Sequence, residues 1–183
     1  ASSLVVDMIS TMPFSLLKIM LSKGSLHRER WGLYASGTLQ QLGARPTVWL
    51  HAASVGEVGV ALSLLKELKK VYPRHAFVVS TTTPQGRMIA SQAQGVDAAF
   101  LAPLDLLWVV RRAVKRIKPR LLLVAETELW PNLIKEVKRT GTPVILFNGR
   151  ISQRSYRFYR PLRFFFRGAL QNFDALCLKS STD

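Results

Sequence analysis

The chain has 183 residues, of which 48% are hydrophobic and 20% are charged, and this composition excludes a disordered segment. It holds 26 Lys and Arg against 11 Asp and Glu, and the net charge of +15 favours an anionic partner: a phosphorylated ligand, an acidic lipid surface or a nucleic acid. A single cysteine excludes an internal disulfide, and the three histidines lack the spacing of zinc ligands, so no zinc site of the Cys/His type is predicted.

The first 45 residues are predicted to form a helical segment that associates with a membrane. Residues 4–21 are mostly apolar, but Asp7, Pro13 and Lys18 interrupt them, and a bilayer-spanning helix needs roughly 20 predominantly apolar residues. Because basic residues follow, the pattern suits an amphipathic helix that lies on the membrane surface. A helix packed on its own domain fits the same pattern.

From residue 46 onward, short apolar runs alternate with helical patterns. The predicted strands are Val48–His51, Ala76–Ser80, Ala98–Leu101, Leu121–Ala125, Val144–Phe147 and Ala175–Leu178. The predicted helices are Val58–Val71, Pro84–Gln94, Leu106–Lys118, Asn132–Thr140 and a longer one at about Arg154–Gln171. This alternation predicts an α/β fold over residues 46–183, a Rossmann-like parallel sheet with helices on both faces.

The end of the chain supports two further expectations. The sequence stops just after the last predicted strand, which predicts that it is a piece of a longer protein. Cys177 lies in the apolar run of that strand, which predicts a buried thiol.

The run His51–Glu57 connects the first strand to the first helix, at the edge where open α/β sheets place their ligands. Ser54 followed three residues later by Glu57 matches a capping box, in which the carboxylate bonds only to the backbone at the helix start. Alternatively, Gly56 lets the backbone approach a ligand closely, and Glu57 takes a proton from a sugar hydroxyl as general base. The local sequence alone favours the cap.

The segment from Ser80 to Arg87 contains three consecutive threonines before a helix. Thr83 is predicted to cap this helix, with Pro84 as its first residue. The hydroxyls, the free helix amides and Arg87 together suit a phosphate. An ordinary capped helix with Arg87 in solvent fits equally well.

Polar residues also follow two later strands. Glu126 and Glu128 come directly after Leu121–Ala125, where carboxylates can orient a nucleophile, stabilise positive charge or bind a metal. Alternatively, one of them caps the next helix and the other pairs with an arginine. Acidic residues are few in this chain, so we expect at least one of the pair to be functional. Asn148 and Arg150 follow the fifth strand and are expected at the same edge.

The arginines and aromatic residues between positions 154 and 167 are interleaved. This mixture suits a membrane interface or single-stranded nucleic acid. A solvated basic face over a phenylalanine-rich core fits as well.

Three motifs together resemble the N-terminal domain of the 3-deoxy-D-manno-octulosonic acid (Kdo) transferases: His51–Glu57, Glu126–Asn132 and Asn148–Ser152. His27–Gly32 resembles the segment that precedes that domain. The resemblance covers nearly the whole chain. It implies the N-terminal, acceptor-binding half of a two-domain glycosyltransferase of the GT-B type, whose C-terminal CMP-sugar domain is expected to lie beyond this sequence.

The resemblance also implies an activity. The family transfers Kdo from CMP-Kdo to a lipid A precursor in lipopolysaccharide biosynthesis, at the cytoplasmic face of the bacterial inner membrane. Glu57 falls on the family's catalytic base and Glu126 on a second catalytic carboxylate, in a single inverting displacement. The residues then expected to bind substrate are Ser54, Gly56, Thr83, Arg87, Glu128, Asn148 and Arg150.

The resemblance implies no cofactor and no metal, with CMP-Kdo as donor substrate. The expected partners are the lipid A precursor, the anionic inner-membrane surface and the protein's own C-terminal domain, and not nucleic acid. The fragment alone is expected to be inactive. Two alternatives stay open: another GT-B nucleotide-sugar glycosyltransferase, and a non-enzymatic basic module that binds anionic lipid or nucleic acid.

Overall fold

The computed structural model describes residues 25–126, 130–149 and 170–179. The elements in chain order are α1 (Ser25–Arg30), α2 (Ser36–Gln40), β1 (Thr47–His51), α3 (Val55–Val71), β2 (Ala76–Thr81), α4 (Pro84–Gln92), β3 (Ala98–Leu101), α5 (Leu107–Ile117), β4 (Pro119–Ala125), α6 (Pro131–Arg139), β5 (Val144–Gly149) and β6 (Ala175–Leu178). The predicted strands and the first four predicted helices are confirmed, and the largest boundary difference is α3, which begins at Val55 instead of Val58. The helix predicted at about residues 154–171 falls almost entirely outside the described residues.

The described strands form one parallel sheet in the order β3-β2-β1-β4-β5-β6. The chain runs outward from β1 through β2 to β3, crosses back to β4 beside β1, and then runs outward through β5 to β6. The strand order therefore reverses between β1 and β4, and the loops that leave these two strands diverge. Open α/β sheets bind their ligands in the crevice outside the carboxyl ends of the strands at such a point.

Hydrophobic cores cover both faces of the sheet. Trp49 packs in the core that α5 and α6 close, whereas its neighbour Leu50 packs in the core that α3 and α4 close. Successive strand residues point to opposite faces, so a strand covered on both faces needs a continuous apolar run. The predicted fold class, an α/β Rossmann-like parallel sheet with helices on both faces, is confirmed.

Residues 25–45 pack against the sheet. Tyr34 and Leu42 lie in the core with α5 and α6, and the Tyr34 ring centroid is 4.2 Å from that of Phe100. The Arg30 guanidinium is buried and donates to the Thr82 carbonyl at 2.5 Å. Residues 1–24, the rest of the predicted membrane-associating segment, lie outside the described residues. Within the part of the chain that the structure describes, no helix combines the length and apolarity needed to cross a bilayer.

The prediction of a buried thiol at Cys177 is wrong, because the side chain is exposed. In the described sheet β6 is the outermost strand and pairs with β5 on one side only. All residues of Ala175–Leu178 are exposed. A short apolar run has the same sequence pattern in an edge strand as in a central one, so the sequence did not distinguish the two.

Candidate functional site

The parallel strands bring most of the predicted site residues to one edge of the sheet. Each of these residues lies at or just after the carboxyl end of a strand: Ser54, Gly56 and Glu57 after β1, Thr83 and Arg87 after β2, Glu126 after β4, and Asn148 at the end of β5. Glu128 and Arg150 lie outside the described residues. The β1 and β4 loops flank the crevice at the reversal of strand order, so Glu57 and Glu126 belong to its two sides.

A capping box holds the Glu57 carboxylate. Ser54 is the N-cap of α3, and its hydroxyl oxygen accepts a hydrogen bond from the Glu57 amide at 3.3 Å. One carboxylate oxygen accepts from the Ala53 amide at 2.8 Å and the other from the Ser54 hydroxyl at 2.8 Å. The predicted cap is confirmed, with the difference that the carboxylate bonds to the Ala53 amide instead of the Ser54 amide.

These contacts suit a base as well as a cap. Glu57 is only 7% exposed, and two hydrogen-bond donors hold its carboxylate in one orientation at the N-terminus of α3. An ionised carboxylate offers about four lone-pair positions, so it can accept a further hydrogen bond from a substrate hydroxyl. The cap therefore fixes where this group could take a proton.

Gly56 borders open space. A Cβ built at this position would meet Ser54 Oγ at 3.9 Å, which is ordinary contact, and no other described atom within 4 Å. The packing of the described residues therefore does not require glycine here, although glycine lowers helix stability relative to alanine. As far as the described residues go, a ligand can approach the backbone of α3 closely at Gly56.

Glu126 and Asn148 share an unusual backbone conformation. Their φ angles are 55° and 53°, in the left-handed region that side chains other than glycine seldom adopt. The Asn148 side-chain amide lies 3.5 Å from a Glu126 carboxylate oxygen and donates towards it. Such conformations cost of order 1–3 kcal/mol each and cluster at functional sites. The geometry therefore brings the predicted carboxylate and amide together at the ends of β4 and β5.

Asp105, which the sequence reasoning missed, caps α6. Its carboxylate accepts from the backbone amides of Asn132 at 3.0 Å and Leu133 at 2.8 Å, and its carbonyl accepts from the Asn132 side chain at 2.5 Å. Burial raises the pKa of Asp105, against the effect of these hydrogen bonds. The loop after β3 thus fixes the start of α6 and one end of the loop that carries Glu126. Asp105 is a carboxylate that follows β3, as Glu126 follows β4, so the same sequence signal could have identified it.

The loop after β2 is anchored to α1. Thr83 accepts from the Gly86 amide at 3.1 Å, which confirms it as the cap of α4. Arg87 is not in open solvent, since it makes a two-point ion pair with Glu29 at 2.8 and 2.6 Å. Glu29 also accepts from the Leu101 amide at 2.7 Å. Phosphate binding by Arg87 stays a prediction, and an anion there would share the guanidinium with Glu29.

His51, the last residue of β1, is fully buried under the same edge. The Ser80 hydroxyl accepts from the Trp49 indole at 2.8 Å and lies 3.0 Å from His51 Nδ1. The Trp130 ring packs edge-on against the imidazole, with 5.0 Å between ring centroids. His51 therefore connects β1 and β2 to the segment before α6. Burial lowers its pKa to about 4, so the ring is neutral at pH 7.

We expect His51 to make the protein less stable as the pH falls from about 6.5 to about 4. The folded-state pKa is about 4 and the ordinary value 6.5, so the unfolded chain binds a proton first in this window. The stability is fully present above the ordinary value and declines by about 3 kcal/mol towards the folded-state pKa. Denaturant unfolding at pH 7 and pH 4.5 measures the loss.

The two variants to compare are His51→Asn, which removes the buried ring, and His75→Asn, which removes a histidine ring outside the sheet. His51→Asn should flatten the pH dependence and His75→Asn should leave it unchanged. An unchanged slope in His51→Asn would contradict the assignment.

Comparison with known proteins identifies the family. The family model described as 3-deoxy-D-manno-octulosonic-acid transferase (kdotransferase) matches residues 26–183. The chain belongs to this Kdo transferase family. The family that the three motifs predicted is therefore confirmed.

Curated relatives agree with this Kdo transferase assignment. Two relatives are named 3-deoxy-D-manno-octulosonic acid transferase. The one from Chlamydophila psittaci is 35% identical to this chain over 139 residues, and the one from Haemophilus influenzae is 36% identical over 137 residues. A bifunctional glycosyltransferase/methyltransferase of Fusobacterium nucleatum is 34% identical over 140 residues. These alignments cover 75%, 74% and 74% of this chain but 32%, 31% and 22% of the relatives. The chain thus spans about a third or less of the length of the curated relatives that it matches.

Proposed function

We propose that this chain forms the acceptor-binding half of a GT-B glycosyltransferase that transfers Kdo from CMP-Kdo to a lipid A precursor in lipopolysaccharide biosynthesis. Membership of the Kdo transferase family supports the donor and the reaction class. The observation that carries the proposal is the nearly buried Glu57 carboxylate, oriented by two donors beside the crevice between β1 and β4.

In the proposed reaction, Glu57 accepts the proton of an acceptor hydroxyl. The hydroxyl oxygen then attacks the anomeric carbon of Kdo, and the bond from that carbon to the phosphate oxygen breaks as CMP leaves with the electron pair. A single displacement of this kind inverts the anomeric configuration. The Ala53 amide and the Ser54 hydroxyl keep the carboxylate in place while it works as a general base.

Glu126 acts in this proposal as the second carboxylate of the crevice. It is placed at the end of β4, next to the β1 loop that holds Glu57, and its contact with Asn148 limits its movement. A carboxylate held there can stabilise the positive charge that develops on the donor sugar as CMP departs. Ser54, Gly56, Thr83 and Arg87 are proposed to line the acceptor side.

The acceptor is a phosphorylated glycolipid, so we place the protein at the cytoplasmic face of the bacterial inner membrane. The net charge of +15 suits both the phosphorylated acceptor and an anionic lipid surface. The donor site belongs to the protein's own C-terminal domain, and the half described here is proposed to be inactive alone. CMP-Kdo is the second substrate, and no cofactor or metal takes part.

A transfer assay with the full-length protein tests the proposal. The protein is incubated with a detergent-dispersed lipid A precursor and either CMP-Kdo or a UDP-hexose. The mass of the lipid product is then measured by mass spectrometry. We expect a mass increase of one or more Kdo units from CMP-Kdo, none from the UDP-hexose, and none with residues 1–183 alone. Transfer from the UDP-hexose without transfer from CMP-Kdo would show another nucleotide-sugar glycosyltransferase.

A further inference from the structure

Two tryptophans from separate segments form a stack on the protein surface. Trp31, just after α1, stacks on Trp108 in the first turn of α5, with ring centroids 5.4 Å apart and planes inclined by 19°. Trp108 is 52% exposed, and the neighbouring Leu107 is 42% exposed. These apolar groups are presented to solvent although the core beneath α5 is closed by other residues of the helix.

The stack is held in place by hydrogen bonds and a cation. The Trp31 indole donates to His27 Nε2 at 2.9 Å. The Arg112 guanidinium carbon lies 5.4 Å from the Trp108 ring centroid, and Arg112 also donates to the Trp31 carbonyl at 3.2 Å. The exposed rings are therefore ordered before any partner arrives, which reduces the entropy lost on binding.

The exposed side of α5 behind the stack is basic. α5 contains no acidic residue, and its exposed side carries four cations: Arg111, Arg112, Lys115 and Arg116. Arg111 pairs with Glu136 of α6 at 3.3 Å. We call these four cations together with Trp31, Leu107 and Trp108 the tryptophan–arginine surface. An aromatic and aliphatic tip beside a cationic band is the composition that binds at the interface of an anionic bilayer.

The tryptophan end of the tryptophan–arginine surface lies at the same edge of the sheet as the candidate site. α5 follows β3, so its first turn stands at the carboxyl edge of the sheet, the edge that carries Glu57 and Glu126. α1 is tied to the same edge through Glu29, which binds Arg87 and the Leu101 amide. A bilayer that contacts the rings of Trp31 and Trp108 therefore faces the edge of the sheet that carries the crevice, where a membrane glycolipid would present its sugar.

We propose that the tryptophan–arginine surface docks this protein on an anionic lipid bilayer, with Leu107 and Trp108 among the headgroups and the α5 cations on lipid phosphates. The inference rests on the proposed function for the reason to dock, since the acceptor is a membrane lipid. A lipid interface fits better than a single-stranded nucleic acid, because Trp31 and Arg112 compete with a nucleotide base for the ring faces of Trp108.

Vesicle binding by the full-length protein tests the docking surface. Binding to vesicles of phosphatidylcholine and phosphatidylglycerol is compared with binding to phosphatidylcholine alone, for the wild type and for Trp108→Ser and Arg112→Gln. We expect Trp108→Ser to weaken binding to the anionic vesicles about tenfold and Arg112→Gln about fivefold. Matched controls are Tyr72→Ser, which removes a 47% exposed ring at the other end of α3, and Lys66→Gln, and both should leave binding unchanged.

The readouts separate the docking surface from the proposed reaction. Trp108→Ser should transfer Kdo to a detergent-dispersed acceptor at the wild-type rate and to a vesicle-embedded acceptor more slowly. Vesicle binding that is equal in Trp108→Ser and wild type, or equally weakened in Tyr72→Ser, overturns the docking proposal. A Trp108→Ser variant that loses binding to single-stranded RNA but still binds vesicles like the wild type also overturns the docking proposal. If Trp108→Ser loses its native circular dichroism, Arg112→Gln decides. A wild type that binds vesicles but transfers no Kdo overturns the proposed function alone.

Discussion

Replacing Glu57 with glutamine in the full-length protein is expected to lower the rate of Kdo transfer by a factor of roughly 10²–10⁴ without unfolding the domain. The amide has the size of the carboxylate, and its oxygen can still accept the hydrogen bond from the Ala53 amide. It has no basic oxygen to take the proton of the acceptor hydroxyl. The measurement is the initial rate of transfer at saturating CMP-Kdo, together with the midpoint of denaturant unfolding.

The control for this substitution lies on the same helix. Glu67 of α3 is largely exposed and pairs with Lys70 at 2.8 Å, so Glu67→Gln makes the same chemical change away from the crevice. We expect it to transfer at the wild-type rate. If Glu57 acts only as a cap, Glu57→Gln would keep the cap, since glutamine also serves in a capping box, and would leave the transfer rate unchanged, which would contradict its role as general base.

Glu126 is expected to show opposite effects on activity and stability. Glu126→Gln should lower the transfer rate by a factor of roughly 10²–10³, because it removes a fixed charge from the crevice. Glu126→Gly should lower it at least as much, while raising the free energy of unfolding by about 1 kcal/mol, because glycine adopts a φ of 55° without strain. Transfer assays and denaturant unfolding of the two variants measure both effects.

Lys118 provides the matched control for strain. It has a φ of 49° at the end of α5, on the edge of the sheet opposite the crevice. Lys118→Gly should therefore give a similar gain in stability with no change in transfer. A Glu126→Gly variant that is less stable than the wild type would contradict the predicted strain, and one that transfers Kdo at the wild-type rate would refute a functional role for the Glu126 carboxylate.

Much of the architecture was predictable because it depends on local patterns. Strands covered on both faces have continuous apolar runs, and helices begin at caps such as Ser54 and Thr83, whose hydrogen-bond partners are three residues away. The parallel arrangement then places the ends of β1, β4 and β5 at one edge. For the same reason, Glu57, Glu126 and Asn148 could be assigned to one site before any contact was known.

The contacts that shape the site were not predictable in this way. Arg87 was expected in solvent or on a phosphate, and it pairs with Glu29, which lies 58 residues earlier in the chain. A cap of α6 comes from Asp105, 27 residues before Asn132. No periodicity or cap signal in a single sequence records such distant partners.

The order of residues was enough to predict the alternation of strands and helices, the capping box at Glu57 and the family motifs. Each of these depends on residues that are close together along the chain. Three-dimensional packing set the remaining properties: the buried, neutral His51, the left-handed pair Glu126 and Asn148, and the exposure of Cys177. Burial and pairing of these groups depend on which distant segments come together, and the sheet order determines that.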